Sequence, residues 1–129
     1  MKKYLLFIFI FLVAVINAQE HNLPKEIVAS LKKDFNEFQV NRFNNQNDQF
    51  YAEIISGKNL FTITFTKDGN VLEKQLVYSL PEDLYNKITL PFKIEDIRNT
   101  SEGVSEVEII TENKRRAFRV NKDGSVIEL

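Results

Sequence analysis

The sequence predicts an α+β fold: two tandem repeats, each one helix followed by about four strands, forming a continuous antiparallel sheet with both helices on one face. Three observations predict it. Leu-Pro opens an amphipathic stretch twice, at Leu23-Pro24-Lys25-Glu26 and at Leu80-Pro81-Glu82-Asp83. Lys-Asp-Gly also occurs twice, at Lys67-Asp68-Gly69 and Lys122-Asp123-Gly124, each time between alternating apolar runs. The first pair is offset by 57 residues and the second by 55, so a two-residue shortening in the second copy aligns the chain with itself. A period of this size sets architecture before any single element does.

Each copy begins with a helix. Proline suits a helix start because the amide it lacks has no intrahelical partner there. The acidic residues that follow suit the positive end of the helix dipole. Ile27, Leu31 and Phe35 give the first helix an apolar stripe at spacing four, and Leu84 and Ile88 do the same in a shorter second helix. Pro91 requires that second helix to end before it.

Strands follow. In the first copy they are expected at 38–43, 50–56, 60–66 and 71–78, and in the second at 93–99, 104–111, 115–121 and 125–129. The run from Leu60 to Thr66 alternates cleanly, with Phe61, Ile63 and Phe65 on one face and Thr62, Thr64 and Thr66 on the other. Gly57-Lys58-Asn59, Asp68-Gly69, Glu112-Asn113-Lys114 and Asp123-Gly124 supply hairpin turns. Asn44 to Asp48 reads as a polar loop tip. The apolar sheet face needs cover, which the helices provide, and the opposite face is polar enough to meet water.

Ahead of the repeats, Met1-Lys2-Lys3 is a short basic region and Tyr4 to Ile16 an apolar run of 13 residues, followed by Ile16-Asn17-Ala18 with a small residue at a cleavage position. This is the layout of a secretory signal peptide. Thirteen residues are short of the roughly 20 that span a bilayer. The sequence therefore divides into a signal peptide, 1–18, and a single domain, 19–129, made of repeats at about 23–78 and 80–129. The protein is expected in the periplasm or secreted, with no membrane span after cleavage.

Composition narrows the chemistry. Hydrophobic residues are 43% and charged residues 27% of the 129, the balance of a packed globular protein. Loss of Lys2 and Lys3 with the signal peptide leaves 15 basic and 18 acidic side chains, net -3. Nucleic-acid binding needs a basic footprint, which this chain lacks. It has no cysteine, which excludes disulfides, a thiolate nucleophile, a Cys-ligated zinc site and a lipoprotein anchor. No cofactor is expected.

The doubled order of Leu-Pro, amphipathic helix, alternating strands and Lys-Asp-Gly resembles the PepSY-like family of exported proteins, whose fold is similar to that of the beta-lactamase inhibitor protein. The resemblance covers essentially all of residues 23–129. It implies a tandem α+β repeat with a continuous curved sheet, partner binding across the exposed sheet face, and a role in restraining peptidases. The inhibitor protein is usually disulfide-bonded, and this cysteine-free chain departs from it there. No short inhibitory motif is present onto which particular residues can be carried.

The residues themselves offer little catalysis. His21 is the single histidine, and a Ser-His-Asp triad would have to use it. It lies three residues beyond the cleavage position, where fixed geometry is hardest to hold. After cleavage at Ala18, an amine, two amides and the His21 imidazole could wrap Cu(II) or Ni(II) in a square plane, a weak alternative metal site. An ordinary solvated histidine is the plainer reading, and Gln19 as a new N-terminus can cyclise and block the amine. Glu106 and Glu108 share a strand face, as do Arg115 and Arg119, and cross-strand pairing explains both. The Asp-Gly turns lack the further ligands of a calcium or phosphate loop.

What remains is the sheet face opposite the helices. Alternation places there Tyr51, Glu53, Ile55, Thr62, Thr64, Glu106, Glu108, Arg115 and Arg119. Such a mixed aromatic and charged surface suits recognition of a protein or peptide. The expectation is an exported, non-enzymatic binding protein with a protein or peptide partner, a peptidase or other hydrolase among the candidates. The alternative is an envelope carrier of a small ligand or metal.

Overall fold

The computed structural model describes residues 23–129. The expected signal peptide at residues 1–18, Gln19 and His21 lie outside the described residues. The chain divides into two compact units with the boundary between Tyr78 and Ser79.

The first unit opens with helix α1, Lys25–Asp34. Pro24 caps it in an extended conformation, and its carbonyl accepts the amides of Ile27 at 3.0 Å and Val28 at 3.2 Å. Glu26 in the first turn and Lys32 and Lys33 in the last complement the helix dipole. Ile27 and Leu31 bury the expected stripe, and Phe35 continues it just past the helix. Four strands follow: β1 Gln39–Gln46, β2 Gln49–Ser56, β3 Asn59–Thr66 and β4 Val71–Ser79. They form one sheet in the order β1-β2-β3-β4. Ile27, Leu31, Phe35, Phe38, Ala52, Ile54, Ile63 and Phe65 close into one core, so α1 covers the sheet face that alternation assigns to it. Full burial of a side chain such as Phe65 or Ile27 stabilises by about 1.5–3 kcal/mol.

The second unit repeats the order. Helix α2 is Glu82–Tyr85, followed by β5 Phe92–Ser101, β6 Val104–Thr111, β7 Lys114–Val120 and β8 Val126–Glu128. These pair in the order β5-β6-β7-β8. Leu80, Leu84, Phe92, Ile94, Val107, Ile109 and Phe118 are buried. The Tyr85 ring meets Phe92 edge-on at 6.4 Å, and the Thr111 hydroxyl donates to the Thr89 carbonyl at 2.8 Å.

The Asp-Gly turns repeat in detail. In the first, the Thr66 amide donates to the Asn70 carbonyl at 2.9 Å and the Gly69 amide to the Thr66 carbonyl at 3.0 Å. In the second, Asn121 donates to Ser125 at 2.8 Å and Gly124 to Asn121 at 2.9 Å. Both glycines have positive φ, +91° and +90°, a backbone that a side chain disfavours. The remaining turns are tight too. Asn47 and Asp48 both have positive φ, as do Glu112 and Asn113, the signature of two-residue turns whose twist matches a hairpin.

The structure corrects the expected fold class. The protein is mostly β, with two separate four-stranded antiparallel sheets rather than one continuous sheet, and its helices are short, ten and four residues. The physical reason is in the connections. Each ladder is built by strands adjacent in sequence, joined by tight turns, and the link from β4 to β5 runs through α2 instead. After Tyr85 only Ile88 is left to extend the apolar stripe of α2, and it is half-exposed. A stripe that short does not support a longer helix.

Candidate functional site: the outer sheet faces

The outer face of the first sheet is built by cross-strand register. Tyr51 stands between Asn44 on β1 and Thr64 on β3, and Glu53 between Arg42 and Thr62. Tyr51 is exposed, and Glu53, Thr62 and Thr64 are half-exposed. A register shift between Val40 and Arg42 places both Asn41 and Arg42 against Glu53. The Asn41 side-chain amide donates to Glu53 Oε1 at 2.9 Å, and Arg42 Nη1 donates to the same oxygen at 3.0 Å. The bulge thus turns a buried polar residue, Asn41, toward a carboxylate that can satisfy it.

Ile55 does not belong to that exposed surface. It pairs with Gln39 and Leu60 in register and is 2% exposed, with Leu60 at 5%. The strand alternates as expected, but its end is buried on both faces, which alternation within one strand cannot report.

The outer face of the second sheet carries a lattice of opposite charges. Glu106 lies directly opposite Arg98 on β5 and Arg119 on β7. Arg98 Nη2 approaches Glu106 Oε1 at 3.1 Å, and Arg119 Nη2 approaches Oε2 at 3.7 Å, so one carboxylate holds two guanidiniums. Arg115 Nη1 donates to Glu108 Oε1 at 3.2 Å, a diagonal contact since Glu108 faces Ala117. The expected sharing of a face by Glu106, Glu108, Arg115 and Arg119, and the cross-strand Glu–Arg contacts, are therefore present. Arg98 adds a contact to Asp96 at 3.7 Å. Solvated pairs of this kind contribute about 0–1 kcal/mol each, so they organise the surface more than they stabilise the fold.

Sequence reasoning passed over Arg42, Asn41, Arg98 and Arg116. Arg42 and Arg98 are findable only once β1 and β5 are registered against their neighbours. Arg116 faces away from the Arg115–Arg119 surface. Its Nε and Nη2 hold Glu128, Nη1 reaches the Lys87 carbonyl at 3.3 Å, and the guanidinium lies 5.1 Å from the Phe118 ring centre. The bidentate contact raises the Arg116 pKa and holds the Glu128 carboxyl below its ordinary range. Among the described residues, no cluster of three or more His, Asp or Glu is placed to hold a metal ion.

The two units define a class: antiparallel β modules, each with an apolar inner face and an outer face of ordered polar side chains, joined in the first unit by the exposed Tyr51. Comparison with protein-family models, with curated proteins and with solved structures gives no match for the chain.

Proposed function

We propose that this chain is an exported, non-catalytic binding protein of PepSY-like type that recognises a protein or peptide through its outer sheet faces, with an envelope peptidase or other hydrolase as the partner class. The observation that carries the reading is Tyr51. It is 36% exposed on the outer face of the first sheet, on an interior strand, flanked in register by Asn44 and Thr64. Tyrosine on a rigid strand offers a large contact area at low entropic cost, the pattern of binding surfaces. The neighbouring charges are already paired in position, which favours recognition of a complementary surface over diffuse attraction. A chain with no cysteine and one histidine near its N-terminus has few routes to catalysis. The basic start and apolar run of residues 1–18 support export.

The test uses the processed protein as bait in envelope extract, read by mass spectrometry, beside the triple variant Tyr51→Ala, Thr64→Ala, Arg119→Ala. One enriched hydrolase that the triple variant fails to capture is the expected result. Equal capture by both proteins, or no enriched protein, would overturn the reading.

A further inference from the structure

Among the described strands, β4 alone is exposed along seven consecutive residues, Val71 to Val77. It is the last strand of the first sheet, and among the described residues no strand lies beyond it between Val71 and Val77. Yet four of these seven residues are large aliphatics standing in solvent: Val71 is 42% exposed, Leu72 53%, Leu76 52% and Val77 44%. Edge strands are ordinarily guarded by charge, proline or brevity, because an open edge pairs with whatever strand meets it.

The arrangement of these residues is symmetric. Val71-Leu72-Glu73-Lys74-Gln75-Leu76-Val77 reads the same from either end, with the near-isosteric Glu73 and Gln75 as the sole inequality. Exposure follows the same symmetry, with the two valines nearly equal and the two leucines nearly equal. Self-complementarity about a point is what a two-fold interface demands, since each residue meets its counterpart across the axis.

We propose that a second copy of this chain pairs along β4, antiparallel, about a two-fold axis at Lys74. In that register Val71 faces the partner's Val77, Leu72 faces the partner's Leu76, and Glu73 faces the partner's Gln75. Every exposed aliphatic then meets an aliphatic, and a carboxylate meets an amide that can donate to it. A slip of two residues, which keeps each side chain on its face, sets Leu72 against Lys74 and Val71 against Gln75 and so loses the aliphatic pairs. The pairing is closed by its symmetry, so it ends at a dimer.

Lys74 is the one residue that would oppose it, since two copies meet at the axis. Its charge is engaged within its own unit. Nζ lies 3.8 Å from Asp34 Oδ2, 4.9 Å from the centre of the Phe35 ring and 5.4 Å from that of Phe61. The usual edge guard is drawn back onto the first unit.

The absence of cysteine makes the register directly testable. In the protein as its host accumulates it, Lys74→Cys puts two thiols at the axis, with Cα atoms about 4.5–5.5 Å apart, within disulfide reach. Leu72→Cys puts its two thiols four strand positions apart, about 13 Å at 3.4 Å per residue. Under mild oxidation the first variant is expected to cross-link several-fold more than the second. Sedimentation equilibrium supplies an independent readout. Leu72→Lys with Leu76→Lys sets like charges opposite one another and is expected to weaken the dimer at least about tenfold, whereas Leu72→Glu with Leu76→Lys sets opposite charges together and restores it. A protein that stays monomeric at 100 µM, taken as roughly the top of the useful concentration range, overturns the proposal, as does equal cross-linking at positions 72 and 74.

Discussion

Arg116 and Glu128 meet in a two-pronged pair: Nε donates to Oε2 at 2.9 Å and Nη2 donates to Oε1 at 2.8 Å. This contact ties the short final strand to β7. The same guanidinium reaches the Lys87 carbonyl at 3.3 Å, just beyond α2, so one side chain links three parts of the second unit. A planar fork matches a carboxylate in a way that an ammonium cannot.

The pair makes stability depend on pH in a definite direction. The hydrogen bond from Arg116 holds the Glu128 carboxyl below its ordinary value, and Ser125 does the same for Asp123. A depressed folded-state pKa contributes stability that is fully present above the unfolded value and is lost as pH falls through the folded one. For glutamate the unfolded value is about 4.3. Melting temperature is therefore expected to hold from neutral pH down to that region and then fall. Glu128→Gln should flatten part of the acid limb and lower the neutral plateau. Superimposable acid profiles for the two proteins would contradict this role.

The two Asp-Gly turns separate strain from packing. Both Gly69 and Gly124 have φ near +90°, so alanine at either is strained by about 1–2 kcal/mol. At Gly124 an added Cβ meets nothing within 4 Å. At Gly69 it meets Glu26 Cβ at 2.8 Å and the Glu26 carbonyl oxygen at 2.9 Å, backbone that cannot step aside. Gly69→Ala is expected to cost a further 1–3 kcal/mol or so beyond Gly124→Ala. Urea denaturation of the two variants measures the difference, and equal losses would place the first turn away from α1.

Glu53 and Glu108 test how far burial decides the worth of an ion pair. Glu53 accepts from Arg42 and from the buried Asn41 amide, whereas Glu108 meets an Arg115 that is 57% exposed. Glu53→Ala is expected to destabilise by about 1–2 kcal/mol because it removes an acceptor from a buried donor. Glu108→Ala should stay within about 0.5 kcal/mol. A reversal of that order in denaturant titrations would refute the assignment.

Much of the local structure is legible in the residues alone. All eight strands and both helices lie within a few residues of their expected positions, because alternation and turn chemistry are properties of near neighbours. Phe61, Ile63 and Phe65 turn one way from Thr62 and Thr64 whatever surrounds them. The shared face of Glu106 and Arg119 follows from the same rule once their strands form a hairpin. The doubled Leu-Pro and Lys-Asp-Gly signals likewise mark two helix-plus-four-strand units.

Tertiary structure decided the rest. That the strands close as two sheets depends on β4 and β5 not pairing across the helical link, and whether two strands pair across such a link leaves no period in the sequence. The burial of Ile55 depends on what covers a strand end, and the meeting of Asn41 and Glu53 on a one-residue bulge. The grip of Arg116 on Glu128 requires β7 and β8 to lie side by side in one register. Sequence by itself determined the repeats and the elements, because each rests on patterns within a few residues. Sheet closure, burial and ion pairing were decided only in three dimensions, because each depends on the register of one strand against another and on what covers it.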